Sequence, residues 1–334
     1  MGRSKGKTLF QLLALESLVI GVGIMVYSLF PFATLILDQE QGAILYANRS
    51  NPLYLLVLGA VVYLIYWAIT CHKQNKITSR ANEVVQWMLG KRNFAETKSI
   101  LLILALKFQF IPLMSSGLIV LGARVFQLVA NPISSDLIGL EYFNNIIYPF
   151  TVHLCAFLTY IITTFAYIVE NKKLGSQIKS IDQSWLGWAA VIICYSPMYL
   201  VVFQMIPMYA HEFVFFKNIE ATACIRLFLI ITIVFKVCAV LTLGTKSSNL
   251  TNRGVVVTGP YRLVRHPHYL AKLIVWWTCI LPIMVTNQIV VVGMIFWTAI
   301  YIVRALTEER HLCLDPDYIA YKEKVKWRFI PLIY

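Results

Sequence analysis

Two short polar segments near the C-terminal end contain the residue types that could do chemistry in this chain. The first is 258-TGPYRLVRHPHYL-270, which has two arginines, two histidines, two tyrosines and two prolines within thirteen residues. The second is 304-RALTEERHL-312, in which Arg304, Glu308 and His311 follow one another at i, i+4 and i+7. On a helix these three side chains share one face.

These residue types suit a polar small molecule that has a carboxylate and a flat ring. Arginine binds a carboxylate through two parallel hydrogen bonds, and Tyr261 and Tyr269 offer aromatic surface with a polar tip. A helix that begins near Pro267 presents an N-terminus that favours anionic groups. A membrane-boundary anchor would explain the arginines and tyrosines, but not the Gly-Pro turn, the two histidines and the second segment together. For the second segment, the alternative is an Arg304–Glu308 ion pair that closes the helix.

The elements that must position these segments are membrane helices. The chain has 334 residues, of which 59% are hydrophobic and 13% charged, and its mean hydropathy is +0.69. Soluble domains have roughly 25% charged residues, and an apolar run of about 20 residues can span a bilayer. The sequence therefore predicts an all-α, polytopic membrane helix bundle with about eight transmembrane helices. The predicted spans are 10–37, 53–70, 99–129, 147–170, 185–207, 224–243, 269–286 and 288–306.

The basic residues indicate which side of the membrane each loop faces. Of the 29 Lys and Arg residues, 21 lie in the two termini and in the loops that eight spans put on the same side, whereas the opposite loops hold only Arg49 and Lys217. Positive charge accumulates on the cytoplasmic side of membrane proteins. We therefore expect both termini and the active site to face the cytoplasm, in the endoplasmic reticulum of a eukaryote or the inner membrane of a bacterium. The net charge of +13 then indicates anionic lipid headgroups as partners, and no nucleic acid.

A very short turn brings the two polar segments together. Thr286, Asn287 and Gln288 are all that separates predicted spans seven and eight, so these helices must form an antiparallel hairpin. The hairpin returns the second segment to the level of the first at the cytoplasmic boundary. We therefore divide the chain into a five-helix region, 1–223, and a catalytic module, 224–334, with a cytoplasmic cofactor pocket. Residues 1–223 are expected on the acceptor or lipid side and have no assigned function. The seven cysteines lack metal-ligand spacing, so no metal site is predicted.

Several motifs of the C-terminal 90 residues occur together. They are Gly259-Pro260-Tyr261, Arg265-His266-Pro267-x-Tyr269, Arg304-x-x-x-Glu308-Glu309, Tyr318-x-x-Tyr321 and Arg328-x-x-Pro331. In their order and nearly in their spacing they resemble the signature of the isoprenylcysteine carboxyl methyltransferase and phospholipid methyltransferase superfamily. The chain departs from that pattern at Ala271, where the family often has glycine, and at Arg253, where it often has histidine.

The resemblance implies an integral membrane enzyme that uses S-adenosylmethionine without a Rossmann domain, and the sequence indeed has no strand–GxGxxG–helix unit. It implies carboxyl O-methylation of an isoprenylcysteine-type acceptor, so the partner would be a membrane lipid or a prenylated molecule. Arg304, which would face the acceptor, and Glu308 are the implied catalytic residues. The implied cofactor-binding residues are Arg253, Gly254, Val255, Val256, Tyr261, Arg265, His266, Pro267, His268, Tyr269, Glu308, Glu309, Tyr318 and Tyr321.

Three alternatives remain open. A phospholipid N-methyltransferase would need a base to remove a proton from the amine, and Glu308 or Glu309 would be the candidate. An NADPH-dependent, sterol reductase-like enzyme would share the RHPxYL-like element, Glu309 and Arg310 near Cys313, and an ending similar to 328-RFIPLIY-334. A lipid-binding protein without activity is the third. Two further basic residues within spans are candidates for the acceptor pocket, namely Lys236 and Lys272.

Overall fold

In the computed structural model, the described part of the chain is mostly helical. The structure describes Val84 and residues 86–130, 137–171, 174–195, 198–206 and 212–331. The principal helices are α1 (Phe94–Ala130), α2 (Gly139–Tyr142), α3 (Tyr148–Ile168), α4 (Trp185–Ile192), α5 (Met198–Met205), α6 (Ile219–Leu243), α7 (Pro267–Cys279), α8 (Leu281–Met284), α9 (Ile289–Leu312) and α10 (Pro316–Lys324). Two compact units divide the chain, Met1–Ile119 and Val120–Tyr334. The second unit includes both polar segments.

Four helices in the described residues are long and apolar enough to cross a membrane. They are Thr97–Ala130, Gly139–Ile168, Ile219–Lys246 and Ile289–Leu312. They correspond to the predicted spans three, four, six and eight. A π-helical turn, Phe143–Ile147, joins α2 to α3 within the second of them. Predicted spans one and two, 10–37 and 53–70, lie outside the described residues, so the total of eight spans and the side on which the termini lie stay predictions.

Predicted spans five and seven differ from the expectation of continuous helices. The region 185–207 forms α4 and α5, of 8 residues each, with a turn after Ile192. The region 269–286 forms α7, of 13 residues, and α8, of 4. Pro282, which has no N–H to donate to the preceding turn, lies at the start of α8, and this interrupts the helix. None of these four helices reaches the roughly 20 residues that cross a bilayer.

Local sequence sets the starts and ends of the helices that carry the site. The side-chain oxygen of Asn218 accepts a hydrogen bond from the Ala221 N–H at the start of α6. Asp315 does the same for the Asp317 N–H at the start of α10. Such caps satisfy backbone donors that have no partner within the helix. Gly244 ends α6 at a φ of +51°, a conformation that glycine adopts without steric cost.

Helix α6 is central to the second unit, where it packs against both α3 and α7, while α9 packs against α4. The core between these helices is aromatic and aliphatic, and its fully buried members include Tyr148, Leu229, Ile280, Met294 and Trp297. Arg226 of α6 is buried far from the polar segments and donates hydrogen bonds to the carbonyls of Asn144 (2.6 Å) and Val214 (3.0 Å). Its guanidinium also lies 4.8 Å from the centre of the Tyr148 ring. This arginine therefore joins helices rather than forming part of the candidate site.

A minimal sheet supports the loop that leads into the first polar segment. Strands β1 (Ser180–Ile181) and β2 (Thr251–Asn252) pair antiparallel, with Ser180 opposite Asn252. The all-α expectation did not include this sheet, because two-residue strands leave no periodic pattern in the sequence. Next to it, Arg253 is buried and donates to the carbonyls of Ala166 (2.8 Å) and Ser176 (2.9 Å). The loop before the Gly-Pro turn is thus fixed to the end of α3.

Candidate active site

The Gly-Pro turn packs directly against α6. Residues Gly259–Arg262 form a 3₁₀ turn, and Gly259 has a φ of +56°. A Cβ at this position would lie 2.6 Å from Oγ1 of Thr242. Only glycine therefore allows the turn to approach the helix so closely. Pro267 then occupies the first turn of α7, where its missing N–H and fixed φ are well tolerated.

The predicted meeting of the two polar segments is confirmed by an ion cluster around Glu309. Nε of Arg265 lies 2.8 Å from the Glu309 carboxylate, and Nη2 of Arg328 lies 3.0 Å from it. Nε2 of His266 lies 3.1 Å from the same carboxylate. We call these four residues the Glu309 clamp. Because Glu309 is 3% exposed, its charge needs several partners, and the clamp provides them.

The clamp also holds the C-terminal tail. Arg265 donates from Nη1 to the carbonyls of Val325 (2.8 Å) and Lys326 (2.7 Å). The backbone N–H groups of Arg265 and His266 donate to the carbonyls of Trp327 and Arg328. Three predicted cofactor-binding residues, Arg265, His266 and Glu309, therefore use their polar atoms to join α7, α9 and the tail.

Arg304 lies in a separate, aromatic environment. Its Cζ is 5.0 Å from the ring centre of Tyr269, 5.3 Å from that of Tyr195 and 5.6 Å from that of Tyr301. Its Nη2 donates to the Tyr195 hydroxyl (3.3 Å) and to Oδ1 of Asn249. We call these five residues the arginine cage. Arg304 is 4% exposed, and its Nε is buried without a hydrogen-bond partner in the described part of the chain. A buried donor that lacks a partner is costly, so this atom indicates a place for an acceptor group.

Glu308 and Glu309 are adjacent but belong to different environments. The Tyr269 hydroxyl donates to Oε2 of Glu308 at 2.6 Å, and the His266 ring stacks on Tyr269 at 5.3 Å between ring centres. Within the described residues, Glu308 and Arg304 form no ion pair. The alternative of a helix-closing Arg304–Glu308 pair is therefore wrong. His311, on the same predicted face, contacts the Ser180 hydroxyl instead, at 2.9 Å.

The tail tyrosines lie against the Gly-Pro turn. Tyr261, Tyr318 and Tyr321 are buried in one cluster with Ala239 of α6, and Val255 and Val256 pack against it. The Tyr321 hydroxyl donates to the Tyr261 carbonyl at 2.8 Å. Burial raises the pKa of Tyr261, Tyr318 and Tyr321, so all three stay neutral. The cluster presents apolar, aromatic surface next to the loop that contains Gly254.

A basic cleft of about 840 Å³ opens beside this cluster. Its walls include Lys179, Lys246, Arg262, Lys324 and the backbone around Gly254. Gly254 has a φ of +96°, which other residues rarely adopt. Binding sites for small molecules have volumes of about 300–1,000 Å³, so the cleft is large enough for a nucleoside-sized ligand.

The structure thus brings together most of the predicted site residues, in three groups. Arg304 and Tyr269 belong to the arginine cage, which Glu308 joins through Tyr269. Arg265, His266 and Glu309 belong to the clamp, and Val255, Val256, Tyr261, Tyr318 and Tyr321 to the tail cluster. Arg253 and Gly254 line the cleft, Pro267 starts α7, and His268 touches the Tyr269 ring edge-on at 6.1 Å.

Sequence reasoning missed three residues of the arginine cage. Tyr195 and Asn249 lie 109 and 55 residues before Arg304 in the chain, and no spacing rule connects them to it. Tyr301 precedes Arg304 by three residues, so the helical period could have found it.

Fold and site together define a helical membrane protein that has a buried arginine, Arg304, whose Nε has no hydrogen-bond partner among the described residues. Residues 224–314 match the family model of the isoprenylcysteine carboxyl methyltransferase (ICMT) family. The predicted C-terminal signature is therefore confirmed, and this domain supports a membrane methyltransferase. No solved structure matches the chain.

Proposed function

We propose that the protein transfers a methyl group from S-adenosylmethionine to the carboxylate of a lipidic acceptor, most simply an isoprenylcysteine-type molecule. The observation that carries this proposal is the buried Arg304, whose Nε has no partner among the described residues. An arginine can grip a planar carboxylate with two donors, and Nε is one of the donors of that fork.

The acceptor side needs little more than position and charge. A carboxylate is ionised at neutral pH, so no general base is required to make it nucleophilic. Of the two fork donors, Nη2 already donates to Tyr195 and Asn249, so Arg304 would hold one carboxylate oxygen through Nε and leave the other free to attack, while the cage aromatics exclude water. Since α9 is long and apolar enough to cross a membrane, an apolar tail could enter between helices from the bilayer.

The cofactor side offers residues that fit S-adenosylmethionine. When bound, this molecule supplies a methyl group on a sulfonium whose carbon–sulfur electron pair leaves to sulfur as an acceptor oxygen takes the methyl. The Glu308 carboxylate, oriented by the Tyr269 hydroxyl, would balance a nearby positive charge. The tail cluster and the neighbouring cleft would hold an aromatic base and its sugar.

The test is methyl transfer by the purified full-length protein. Radiolabelled S-adenosylmethionine is offered with a prenylcysteine, a phosphatidylethanolamine and a total lipid extract as acceptors. We expect label on the prenylcysteine as a base-labile ester, whereas base-stable label on phosphatidylethanolamine would indicate the N-methyltransferase alternative.

Two substitutions separate the proposed roles. Glu308→Gln should lower the rate of methyl transfer about 100-fold, because a charge placed for the transition state is lost. Arg304→Met should raise the acceptor KM at least about tenfold and leave the affinity for S-adenosylmethionine unchanged. Arg304→Lys is the matched control that keeps the charge but loses the planar fork. Unchanged acceptor kinetics in Arg304→Met would reject the assigned role.

One feature favours the NADPH-dependent alternative. The basic cleft has Lys179, Lys246, Arg262 and Lys324 on its walls, and such side chains suit phosphate groups. Calorimetric titration of the protein with NADPH and with S-adenosylmethionine distinguishes the two alternatives. Binding of NADPH without binding of S-adenosylmethionine would overturn the methyltransferase proposal.

A further inference from the structure

A small group of basic side chains lies beside Arg304 of α9. Its members are Lys272 of α7, which shares an aromatic ring with Arg304, and Lys236 of α6, which lies close enough to Lys272 to act on its charge. Lys272 follows Pro267 by five residues, or about 8 Å along the helix axis, and Arg304 precedes Leu312 by eight, or about 12 Å. The cluster therefore lies one to two turns inside the helix ends that meet at the Glu309 clamp.

Lys272 and Arg304 share one aromatic ring. Nζ of Lys272 donates to the Tyr301 hydroxyl at 2.6 Å and lies 5.0 Å from the centre of that ring. It also lies 4.7 Å from the centre of the Trp276 ring. Cζ of Arg304 is 5.6 Å from the Tyr301 ring centre. The ring quadrupole attracts both cations, but it carries no net charge to neutralise them.

The nearby carboxylates do not offset this positive charge. Glu309 is occupied by the clamp, and Glu308 accepts from Tyr269. Glu212 acts on Lys272 more weakly than Arg304 and Lys236 do. Charged side chains at membrane depth are usually paired or line a cavity that serves a ligand.

One buried donor beside this cluster has no partner. Nε of Arg304 lacks a hydrogen-bond partner in the part of the chain that the structure describes. One carboxylate on Arg304 would satisfy this nitrogen. It would leave the Lys272 ammonium, which donates to a neutral tyrosine hydroxyl, without a counter-charge.

We propose that Lys272 forms a second anion position beside Arg304, and that the acceptor is an amphiphile with two anionic groups. The proposal rests on the proposed function, in which Arg304 binds the carboxylate to be methylated. Lys272 is then a specificity-determining residue. The second group is a carboxylate or a phosphate, since an ammonium attracts both.

The experiment uses acceptors with the same apolar tail and different headgroup charge. S-farnesyl-thiopropionate has one carboxylate, S-farnesyl-thiosuccinate has two, and a third farnesyl thioether has a phosphate in place of the second carboxylate. The full-length protein is placed in nanodiscs of neutral phosphatidylcholine. Displacement of radiolabelled S-farnesyl-thiosuccinate gives each affinity without S-adenosylmethionine, and the acceptor KM is measured separately.

The wild-type protein should bind a two-anion acceptor at least about tenfold more tightly than the one-anion acceptor, which corresponds to about 1.4 kcal/mol. Lys272→Met should remove this preference and leave binding of the one-anion acceptor nearly unchanged. Lys272→Arg should keep the preference, because it keeps the charge. A comparison of the carboxylate and phosphate acceptors identifies the source of the second charge.

Equal affinity of the wild-type protein for one-anion and two-anion acceptors would overturn the proposal without any variant. So would a preference that survives in Lys272→Met, or an equal loss of affinity for both acceptors in that variant. The preference in binding does not depend on methyl transfer. A clear preference together with no transfer to any acceptor would therefore support the second anion position and count against the methyltransferase proposal.

Discussion

The two adjacent glutamates of α9 should respond differently to the same substitution. Glu309→Gln removes the carboxylate that faces Arg265 and Arg328, and leaves two cations with little water around them. The side chains of Glu309, Arg265 and Arg328 are 4%, 5% and 13% exposed, so solvent screens this cluster little. Removing one partner from a buried ion pair costs about 3–5 kcal/mol.

A loss of this size is measurable. A compact unit of 150–250 residues loses about 2–4 °C in its unfolding midpoint per kcal/mol, so Glu309→Gln should lower the midpoint by roughly 10 °C. The midpoint is followed in detergent by intrinsic tryptophan fluorescence. Glu308→Gln is the matched control, because its partner is a neutral tyrosine hydroxyl, and its midpoint should change by less than about 2 °C.

A double-mutant cycle with Arg328→Met measures the coupling directly. Groups within one ion network show interaction energies of about 0.5–3 kcal/mol, and we expect a value in the upper half of that range. A Glu309→Gln protein that keeps its midpoint but fails to bind S-adenosylmethionine would refute this reasoning. Glu309 would then contact the ligand rather than hold the tail.

Three further outcomes follow from local geometry. Gly259→Ala should lower the free energy of unfolding by about 1–3 kcal/mol in thermal unfolding, because a positive φ is costly for alanine and the added Cβ would clash with Thr242. Adding Thr242→Ala removes the clash and should recover part of this loss. A hydrogen bond from Asn252, and a smaller effect of one from Lys179, lower the pKa of Asp315. The ionised Asp315 therefore stabilises the fold above the ordinary aspartate pKa of about 3.9. This stabilisation is lost as the pH falls through the lower pKa of the folded state. Asp315→Asn should therefore flatten the acid limb of the midpoint–pH curve below a pH of about 3.9, and an unchanged acid limb would contradict this. Tyr269→Phe should slow methyl transfer without lowering the unfolding midpoint by more than about 2 °C. A rate equal to that of the wild-type protein would show that the hydrogen bond from the Tyr269 hydroxyl to Glu308 does not contribute to methyl transfer.

The sequence alone was sufficient to predict that the two polar segments come together. A three-residue turn at Asn287 and helical spacing in 304–312 were enough to place Glu308 and Glu309 near Tyr269 and Arg265. Continuous helices in 185–207 and 269–286 were wrong, because hydropathy does not register the local breaks near Ile192 and at Pro282.

The division of the site into clamp and cage could not be predicted from spacing. Successive residues of a helix differ by about 100° in direction, so Glu308 and Glu309 must face different neighbours. Which of them meets a cation depends on where the tail places Arg328 and on which loop brings Asn249 to Arg304. The positions of Arg328 and Asn249 depend on tertiary contacts between residues that are far apart in the chain.

The clamp explains why Arg304 is available to a ligand. An arginine followed at i+4 by a glutamate pairs with it by default on a helix. Here Tyr269 occupies Glu308, and Arg265 with Arg328 occupies Glu309, so neither carboxylate draws the Arg304 guanidinium away from the cage. Arg304 therefore stays a buried cation without an acidic partner among the described residues, which is the state that the proposed binding of an acceptor carboxylate requires.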